Sequence, residues 1–449
     1  MGMINKPLRI SVDPGEAYGN IGDEMMLLNA LRRLEYYLGP CEFIMPAQDG
    51  KPLPDLPKNV RLIPHPYLAF QFWSRPGWLV AAIGQRIPIL GRWFRSSKIA
   101  FPWHWSTRIL DILLLLYRIH ILPSPGRILK TFADTVRTCD VFYGVGAAGL
   151  NDYNLPSLVY KCWLYKTVRP WVKVAAVSAQ GIGPLETPWA GKWLKKSFES
   201  LDLLSFRDCS FSYDFVRRLN PKHVRYNVVA DESFSLPPSN RREAIAFIKS
   251  TGLEQNDSFI AFHFRAKDYT QDTTPLIPYI ASILDAVCET VPHFIVFFPM
   301  SYHTHSTFDE VGGLAIQAAM KNPKRMIIAP LCKNLSLLKG AIGLARYSMG
   351  VSYHIHVASL QQGHPALILY SGEYYRYKSE GLIGFYGPPN VALDVQRTSL
   401  EDIINAVKDI ERNYDKACTV IRKTNKDISK KNDWTIREMT RMLRMEERQ

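Results

Sequence analysis

The chain has 449 residues, of which 47% are hydrophobic and 21% are charged, a composition typical of globular proteins and not of disordered ones. This length accommodates two domains of ordinary size, each with its own core. Lysine and arginine exceed aspartate and glutamate by 55 − 41, or +14, which favours polyanions or an anionic membrane face as partners. We expect no nucleic acid partner, since the sequence has no helix-turn-helix, zinc-finger or RNA-recognition motif.

The seven cysteines are widely spaced and include no C-x-x-C pair. This pattern indicates reduced, mostly buried thiols and disfavours a disulfide framework or a structural zinc site. The N-terminal residues lack the apolar segment of a signal peptide. We therefore expect a cytoplasmic protein.

The first predicted element is a strand, 8–12, which runs into a glycine-rich turn, 13–23, and then into a helix, 24–38. Apolar residues recur at helical spacing from Met25 to Leu34. A strand, a glycine loop and a helix in this order begin a Rossmann-like domain, and glycines permit close approach of backbone to ligand. The loop has neither G-x-G-x-x-G nor a Walker lysine, which disfavours a dinucleotide or P-loop site.

The same turn contains Gly19-Asn-Ile-Gly-Asp-Glu24, in which Asn20, Gly22 and Asp23 are candidate site residues. A purely structural interpretation is a capped turn, with Asp23 as the N-cap and Glu24 complementing the helix dipole. A capped turn and a ligand-binding turn are compatible interpretations of these residues.

Residues 50–130 differ from the rest of the chain, because they are rich in proline, tryptophan, arginine and long aliphatic side chains. The apolar run 109–122 contains Asp111, Arg118 and His120 and is too short and too polar to span a bilayer. Interleaved tryptophan and arginine are typical of an element that lies on an anionic membrane. They are equally typical of a surface that packs on its own domain or on a second subunit, which leaves a homo-oligomer open.

Further strands of the first half each end in a polar or glycine-rich loop. Asn151 and Asp152 follow one such strand and are candidate sugar ligands, although as N-caps they need no such role. The next strand is followed by the loop Gln180-Gly-Ile-Gly-Pro184, in which Gly181 and Gly183 are candidate substrate-binding residues.

The strand 201–205 ends at Arg207-Asp208. A guanidinium group suits a carboxylate or a phosphate because its fork donates two parallel hydrogen bonds. The alternative for this dipeptide is an internal ion pair that caps a helix.

Residues 237–242 have the composition of a linker, after which strands and helices alternate again. This alternation predicts a second parallel sheet. Arg265 follows its first strand, at the sheet edge where a ligand would lie. From 400 onwards the chain is charged and helical, and its last segment can cross back to the first domain.

His354 lies between the end of a short strand and a predicted helix, 357–362. Ligands of open α/β sheets bind there, because strand C-termini and helix N-termini converge on a crevice. An imidazole accepts or donates a proton near pH 7, and Arg376 and Lys378 lie on the next predicted loop. These groups suit an anionic small substrate. The alternative is that His354 and His356 are ordinary strand-end histidines bonded to the backbone.

Together these motifs resemble the polysaccharide pyruvyl transferase family, in the same order along the chain. His354, and not His356, takes the family's histidine position, because its spacing to Gly363-His-Pro365 fits. Two departures are visible: Ser352 stands where the family has an arginine, and Lys378 comes later than the family's lysine. The residues that carry the resemblance are Gly19-Asn-Ile-Gly-Asp-Glu24, Gln180-Gly-Ile-Gly-Pro184, Arg207-Asp208, Asp231-Glu-Ser-Phe234, His354, Gly363-His-Pro365 and Lys378.

The resemblance implies an α/β fold of two Rossmann-like domains facing a cleft, the GT-B arrangement. Residues 1–237 would form the acceptor-side domain, with the aromatic and basic insertion at about 50–130. Residues 243–400 would form the donor-side domain. Residues 401–449 would be a charged helical segment.

The implied activity is transfer of the carboxyethylidene group of phosphoenolpyruvate to two hydroxyls of one sugar. The sugar would belong to a cell-surface polysaccharide or to its lipid-linked precursor at the inner membrane face. Phosphoenolpyruvate is then the donor substrate, and no step requires a metal or another cofactor. Three alternatives stay open: a nucleotide-sugar glycosyltransferase of the same architecture, a non-catalytic family member that binds glycan, and a basic scaffold or nucleic-acid binder.

The chemistry of this transfer, together with the family's arginine contact to phosphoenolpyruvate, suggests roles for the candidate residues. Arg207 and Lys378 would hold the carboxylate and phosphate of the donor, with Arg376 or Arg265 in place of the missing arginine. His354 would protonate the enol methylene carbon, and Asp23 would accept the proton of the attacking hydroxyl.

Overall fold

The structure is a computed structural model that describes residues 7–15, 17–47, 54–73, 107–109, 111–112, 127–254, 256–264, 276–302 and 308–446. Arg265 and most of the insertion 50–130 lie outside these residues. The membrane and self-association predictions made for that insertion therefore stay predictions.

The first half of the chain is built on a parallel sheet. Its strands are β1 (Leu8–Asp13), β2 (Cys41–Ala47), β3 (Val60–Pro64), β4 (Val141–Gly144), β5 (Val174–Gln180), β6 (Leu203–Phe206) and β7 (Arg225–Val228). Within the described residues they pair in the order β3-β2-β1-β4-β5-β6-β7. The associated helices are α1 (Ile21–Leu38), α2 (Tyr67–Trp73), α3 (Arg127–Val136), α4 (Leu155–Val168), α5 (Ala190–Phe198) and α6 (Asp214–Leu219).

Both faces of this sheet are buried, as its nearly continuous apolar strands require. Phe142 of β4 packs in one core, and its neighbours Val141 and Tyr143 pack in the other. The alternation follows from the two-residue period of a strand.

The second half repeats this plan. Its strands are β8 (Phe259–His263), β9 (Phe294–Phe297), β10 (Met326–Ile328), β11 (Ser348–Gly350), β12 (Ala366–Tyr370) and β13 (Val391–Asp394). Among the residues that the structure describes, their order is β10-β9-β8-β11-β12-β13. The associated helices are α7 (Arg241–Lys249), α8 (Leu276–Thr290), α9 (Phe308–Ala319), α10 (Leu335–Ile342), α11 (Tyr353–Gln361) and α12 (Glu373–Ile383).

Each sheet changes its winding direction once, between β1 and β4 in the first and between β8 and β11 in the second. The loops that leave such a pair of strands diverge and open a ligand crevice at the carboxyl edge. The predicted α/β fold of two Rossmann-like domains is confirmed.

Three helices complete the described chain: α13 (Leu400–Arg412), α14 (Tyr414–Asn432) and α15 (Trp434–Glu446). The first packs in the core of the second domain. The last lies on β5, β6 and α1 of the first domain, with Ile436, Met439 and Leu443 in the core there. The chain therefore passes between the domains twice.

The first of these passages, residues 231–236, is held from both sides. From the first domain, Arg33 forms a buried ion pair with Glu232. From the second, the Lys339 ammonium group donates hydrogen bonds to the carbonyls of Ser233 (3.0 Å) and Phe234 (2.8 Å). This segment couples the two domains directly.

Lys339 predicts a pH dependence of stability. Burial lowers its pKa to about 7, against the opposing attraction of Asp231, whereas an unfolded lysine titrates near 10.4. Between these values the unfolded chain binds the extra proton, so the free energy of unfolding rises with pH by up to about 1.4 kcal/mol per unit. We expect wild type to gain stability relative to Lys339→Met as pH rises from 7 to 9.5, measured by urea unfolding.

The control for this experiment is Lys324→Met, which removes an exposed lysine of the same domain. Its stability difference from wild type should stay nearly constant over the same range. A difference between wild type and Lys339→Met that does not change with pH would contradict the prediction.

Candidate active site

A cavity of about 480 Å³ opens between the two domains. Its walls come from the loops and helices that follow β1, β4 and β6 of the first sheet and β8, β11 and β12 of the second. The cavity therefore lies over both changes of winding direction, where ligands of such sheets bind. The lining residues are Asn20, Asp23, Ala148, Tyr153, Arg207, His263, Val351, Ser352, Tyr353, His354, Ser371, Gly372, Tyr374, Tyr375 and Lys378.

Arg207 provides a fixed positive charge in the wall of this cavity. The residue follows β6, is only 4% exposed, and its Nη1 lies 2.7 Å from Oδ2 of Asp231. Its guanidinium group also lies over the ring of Tyr353, 4.5 Å from the centroid. A guanidinium held on two sides in this way has little freedom, which suits it to bind an anion in one orientation.

Asp231 is the counter-ion that holds Arg207. Burial favours the neutral form of this carboxyl, but Arg207, His354 and the hydrogen bonds from Ser233 outweigh burial and lower its pKa. The carboxylate therefore stays ionised at neutral pH. The sequence pattern did not mark Asp231 as a site residue, because its role depends on Arg207, 24 positions away.

His354 occupies the first turn of α11, where its Nε2 lies 4.0 Å from Oδ1 of Asp231. On the other side, a Cβ added to Gly22 would overlap its Nδ1. The N-terminus of α1 thus packs directly against the imidazole, and it does so because residue 22 has no side chain. This contact joins the first motif of the chain to the last.

The predicted start of α11 at 357 is wrong, since the helix begins at Tyr353. Every residue from Tyr353 to Leu360 is buried, so the segment has no apolar stripe to mark a helix. Ser352 precedes it in an extended conformation as the N-cap residue.

The neighbouring His356 has a structural role. Its Nδ1 accepts from the hydroxyl of Ser348 (2.9 Å), and its Nε2 donates to the carbonyl of Gly350 (2.8 Å). Burial lowers its pKa to about 4, so it is neutral at physiological pH. The alternative of a histidine satisfied within the fold holds for His356, whereas His354 lines the cavity.

Lys378 and Arg376 lie within α12, and their predicted position on the preceding loop is wrong. Lys378 lines the cavity, with its ammonium nitrogen 5.0 Å from the ring centroid of Tyr374. Arg376 instead forms ion pairs with Glu373 (2.7 Å) and Glu380 (3.3 Å) on its own helix. The structure therefore brings Lys378 to the site and leaves Arg376 outside it.

The first turn of α1 places Asn20 and Asp23 in the cavity wall. Asn20 is the N-cap, because its side chain accepts from the backbone N–H of Gly22 (3.1 Å), and the helix begins at Ile21. The interpretation of Asp23 as the N-cap is therefore wrong. Asp23 does line the cavity, and its role there stays a prediction.

Gly181 and Gly183 border a smaller adjoining pocket that shares Arg207 and Lys378 with the main cavity. A Cβ on Gly181 would lie 3.4 Å from Nε of Arg207. Gly183 has a φ of +97°, and a Cβ there would lie 2.8 Å from the ring of Tyr377 in the second domain. The two glycines allow this loop to pack closely against both domains.

Asp208 does not form the internal ion pair considered for Arg207-Asp208, because Arg207 pairs with Asp231. Its carboxylate instead accepts from the backbone N–H groups of Phe211 (2.9 Å) and Ser212 (2.7 Å). It therefore caps the turn that follows β6.

Asn151 and Asp152 do not line the cavity. Asn151 accepts from the N–H of Asn154 (2.9 Å), and Asp152 accepts from the N–H of Thr187 (2.7 Å). These bonds fix a turn whose middle residue, Tyr153, does line the cavity. The polar residues of this turn thus position an aromatic ring that the sequence analysis overlooked.

His263 was also overlooked. It is the last residue of β8, lines the cavity, and its Nε2 lies 3.1 Å from Oδ2 of the buried Asp309. A polar residue at the carboxyl end of a strand was the signal that had selected Arg265, two positions later, and it would have found His263 as well.

Over the part of the chain that the structure describes, no cluster of three or more potential metal ligands is found. The same residues contain no helix with the length and apolar character needed to cross a bilayer. All seven cysteines lie within the described ranges, and none is in a disulfide.

Several solved structures have a similar architecture. Anabaena Alr3699/HepE in complex with UDP-glucose matches with a TM-score of 0.54 and 10% identity, over 98% of this chain and 100% of that one. The α,α-trehalose 6-phosphate synthase of Burkholderia multivorans gives 0.53 and 9%, over 96% and 94%. Arabidopsis thaliana UGT89C1 complexed with UDP gives 0.51 and 11%, over 97% and 100%. At these identities the matches show the fold, which is two Rossmann-like domains in the GT-B arrangement.

The sequence itself gives a more specific assignment. The model of the polysaccharide pyruvyl transferase family matches residues 20–373, which include most of both domains and of the cavity wall. The chain belongs to the polysaccharide pyruvyl transferase family. No curated protein has a matching sequence.

Proposed function

We propose that the protein transfers the carboxyethylidene group of phosphoenolpyruvate to two hydroxyls of one sugar. The observation that carries this proposal is the convergence of Arg207, His354 and Lys378, from both domains, on one cavity. Phosphoenolpyruvate is a small molecule with a carboxylate and a phosphate. Two cations beside a histidine supply both the charge and the proton that its reaction needs.

The donor would lie at the deep end of the cavity. Arg207 and His354 are 4% and 7% exposed, so charges there are shielded from bulk water and act strongly on a bound anion. In this arrangement Arg207 donates to one anionic group of the donor and Lys378 to the other. Asp231 fixes the guanidinium and offsets part of the positive charge.

The proposed reaction forms one C–H and two C–O bonds, and it breaks the C–O bond to phosphate and the carbon–carbon π bond. His354, as imidazolium, protonates the methylene carbon, and a sugar hydroxyl attacks the adjacent carbon while its proton passes to Asp23. The bond to the phosphate oxygen then breaks, and the phosphate leaves with the proton from Asp23. The second hydroxyl completes the ketal and returns its proton to His354, so both residues recover their starting states.

The test is release of inorganic phosphate from phosphoenolpyruvate in the presence of a panel of glycosides. The proposal predicts release that requires both the donor and a glycoside with two suitably placed hydroxyls. Absence of release, together with hydrolysis or transfer from a UDP-sugar, would overturn it in favour of a nucleotide-sugar glycosyltransferase.

The contact between Gly22 and His354 gives a sharp prediction for this reaction. In Gly22→Ala the new methyl group must displace the imidazole or the start of α1. A misplacement of about 1 Å costs on the order of 100-fold in rate, so we expect turnover to fall by at least tenfold. Steady-state phosphate release measures the effect.

Gly191→Ala is the matched control, since a Cβ there meets its nearest neighbour, Leu219, at an ordinary 3.6 Å. It should leave turnover unchanged. Full turnover in Gly22→Ala would show that the imidazole does not need its present position.

A further inference from the structure

Aromatic rings from both domains meet at the mouth of the cavity. Tyr153 of the first domain is 65% exposed, and its ring centroid lies 6.0 Å from that of Tyr374 of the second, with the planes inclined at 61°. Tyr375 continues the series, 5.2 Å from Tyr374. All three line the cavity.

The backbone beneath Tyr153 is held firmly. Asp152 accepts backbone hydrogen bonds from Glu186 and Thr187, and Asn151 accepts one from Asn154. An exposed tyrosine ring buries little apolar surface in its own fold. Burial of the ring therefore does not explain why three hydrogen bonds hold this turn. A ring held in place before binding costs less entropy to engage, which is favourable in a ligand site.

The two ends of the cavity differ in chemistry. The deep end contains the buried Arg207 and His354, which suit the anionic donor. Elsewhere the same cavity is lined by the aromatic rings of Tyr153 and Tyr374 and by the polar residues Asn20 and Asp23. A pyranose ring has an apolar C–H face and a rim of hydroxyls, and it matches both features.

We propose that Tyr153 and Tyr374 form the subsite that binds the ring of the acceptor sugar. This inference rests on the proposed function, because it takes the deep end of the cavity to be the donor site. A sugar ring against these tyrosines extends its hydroxyls toward Asp23 and His354, the groups that exchange protons in the reaction. The competing occupant is the base of a nucleotide sugar, which also stacks on aromatic rings.

The experiment measures acceptor and donor KM separately in Tyr153→Ala, with Tyr153→Phe as the variant that keeps the ring. Tyr153 is the better residue to replace, because a change at Tyr374 would also affect Lys378. The Lys378 ammonium nitrogen lies 5.0 Å from the ring centroid of Tyr374. Tyr36→Ala removes an 82% exposed tyrosine at the far end of α1 and serves as the surface control. We expect the acceptor KM of Tyr153→Ala to rise by about 3- to 10-fold with its phosphoenolpyruvate KM unchanged, a smaller rise in Tyr153→Phe, and no change in either KM of Tyr36→Ala. An unchanged acceptor KM, or an equal rise in both KM values, would overturn the proposal.

Direct binding separates a failure of this subsite from a failure of the proposed reaction. Glycoside binding to wild type and to Tyr153→Ala is measured by titration calorimetry without any donor. If wild type releases no phosphate from phosphoenolpyruvate, weaker glycoside binding in Tyr153→Ala still supports the subsite. Binding of UDP-glucose that depends on Tyr153, with no glycoside binding, overturns it and assigns the rings to a nucleotide.

Discussion

Replacing His354 with alanine is expected to lower phosphate release from phosphoenolpyruvate by at least about 100-fold, because general acid catalysis contributes roughly 10²- to 10⁴-fold. The imidazole lies in the cavity wall between Gly22 and Asp231, whereas His263, which also lines the cavity, is paired with Asp309. The main effect should fall on kcat, since proton transfer to carbon belongs to the transition state. Single-turnover and steady-state assays of phosphate release measure the loss.

His223→Asn is the control for this variant, because His223 lies exposed on a loop of the first domain. It has a φ of 69°, which asparagine tolerates better than most residues, so the substitution should leave both fold and turnover intact. If turnover of His354→Ala stays within about threefold of wild type, His354 is not the general acid. Only its neighbours in the cavity wall would then remain candidates for that role.

Replacing Arg207 with methionine should abolish donor binding and also destabilise the fold. Removal of one partner from a buried ion pair costs about 3 to 5 kcal/mol, because Asp231 is left without its main counter-ion. The chain offers a matched comparison in Arg33, which is equally buried and pairs with the next residue, Glu232. Arg33→Met should lose similar stability, but it should still bind phosphoenolpyruvate, since Arg33 does not line the cavity.

The comparison separates structural and chemical effects. Urea unfolding gives the stability of both variants, and calorimetry gives donor binding at a temperature where both are folded. Arg207→Lys should recover much of the stability but little of the affinity, because an ammonium group cannot reproduce the guanidinium fork. Equal loss of donor binding in Arg33→Met and Arg207→Met would show that Arg207 acts only through the fold.

The Arg207–Asp231 pair also has a defined pH range. The pKa of Asp231 is lowered in the folded protein, so its contribution to stability is present above the unfolded value of about 3.9 and is lost as pH falls through the folded value. At neutral pH the pair is intact. Comparisons of the arginine variants are therefore best made there.

The sequence was sufficient for the fold because its signals are local. The strand 8–12, the glycine turn and the following helix can be recognised within 30 residues, and the same pattern recurs after 258. The starts of two helices were misplaced for different reasons. The helix at Tyr353 is buried all round and shows no apolar stripe, whereas Asn20 and Asp23 are both good capping residues and only the backbone decides between them.

The site was predicted only in part. Arg207, His354 and Lys378 lie in recognisable motifs, and the structure brings them to one cavity. Asp231 and Tyr153 were not assigned to the site, because each contacts partners that are distant in sequence.

Arg376 was wrongly assigned to the site, although the sequence already contained the signal that excludes it. Glu373 and Glu380 lie three positions before it and four after it, the spacing at which charges on one helix pair. Had 373–383 been assigned as a helix, the neutralised arginine would have been excluded from the site.

We infer that the cavity built from both domains binds a small molecule with two anionic groups. Titration calorimetry of the purified protein with phosphoenolpyruvate, and in parallel with UDP, tests it most directly. We expect wild type and Arg33→Met to bind phosphoenolpyruvate and Arg207→Met not to bind it. Binding of UDP without phosphoenolpyruvate, or donor binding that survives in Arg207→Met, would contradict it.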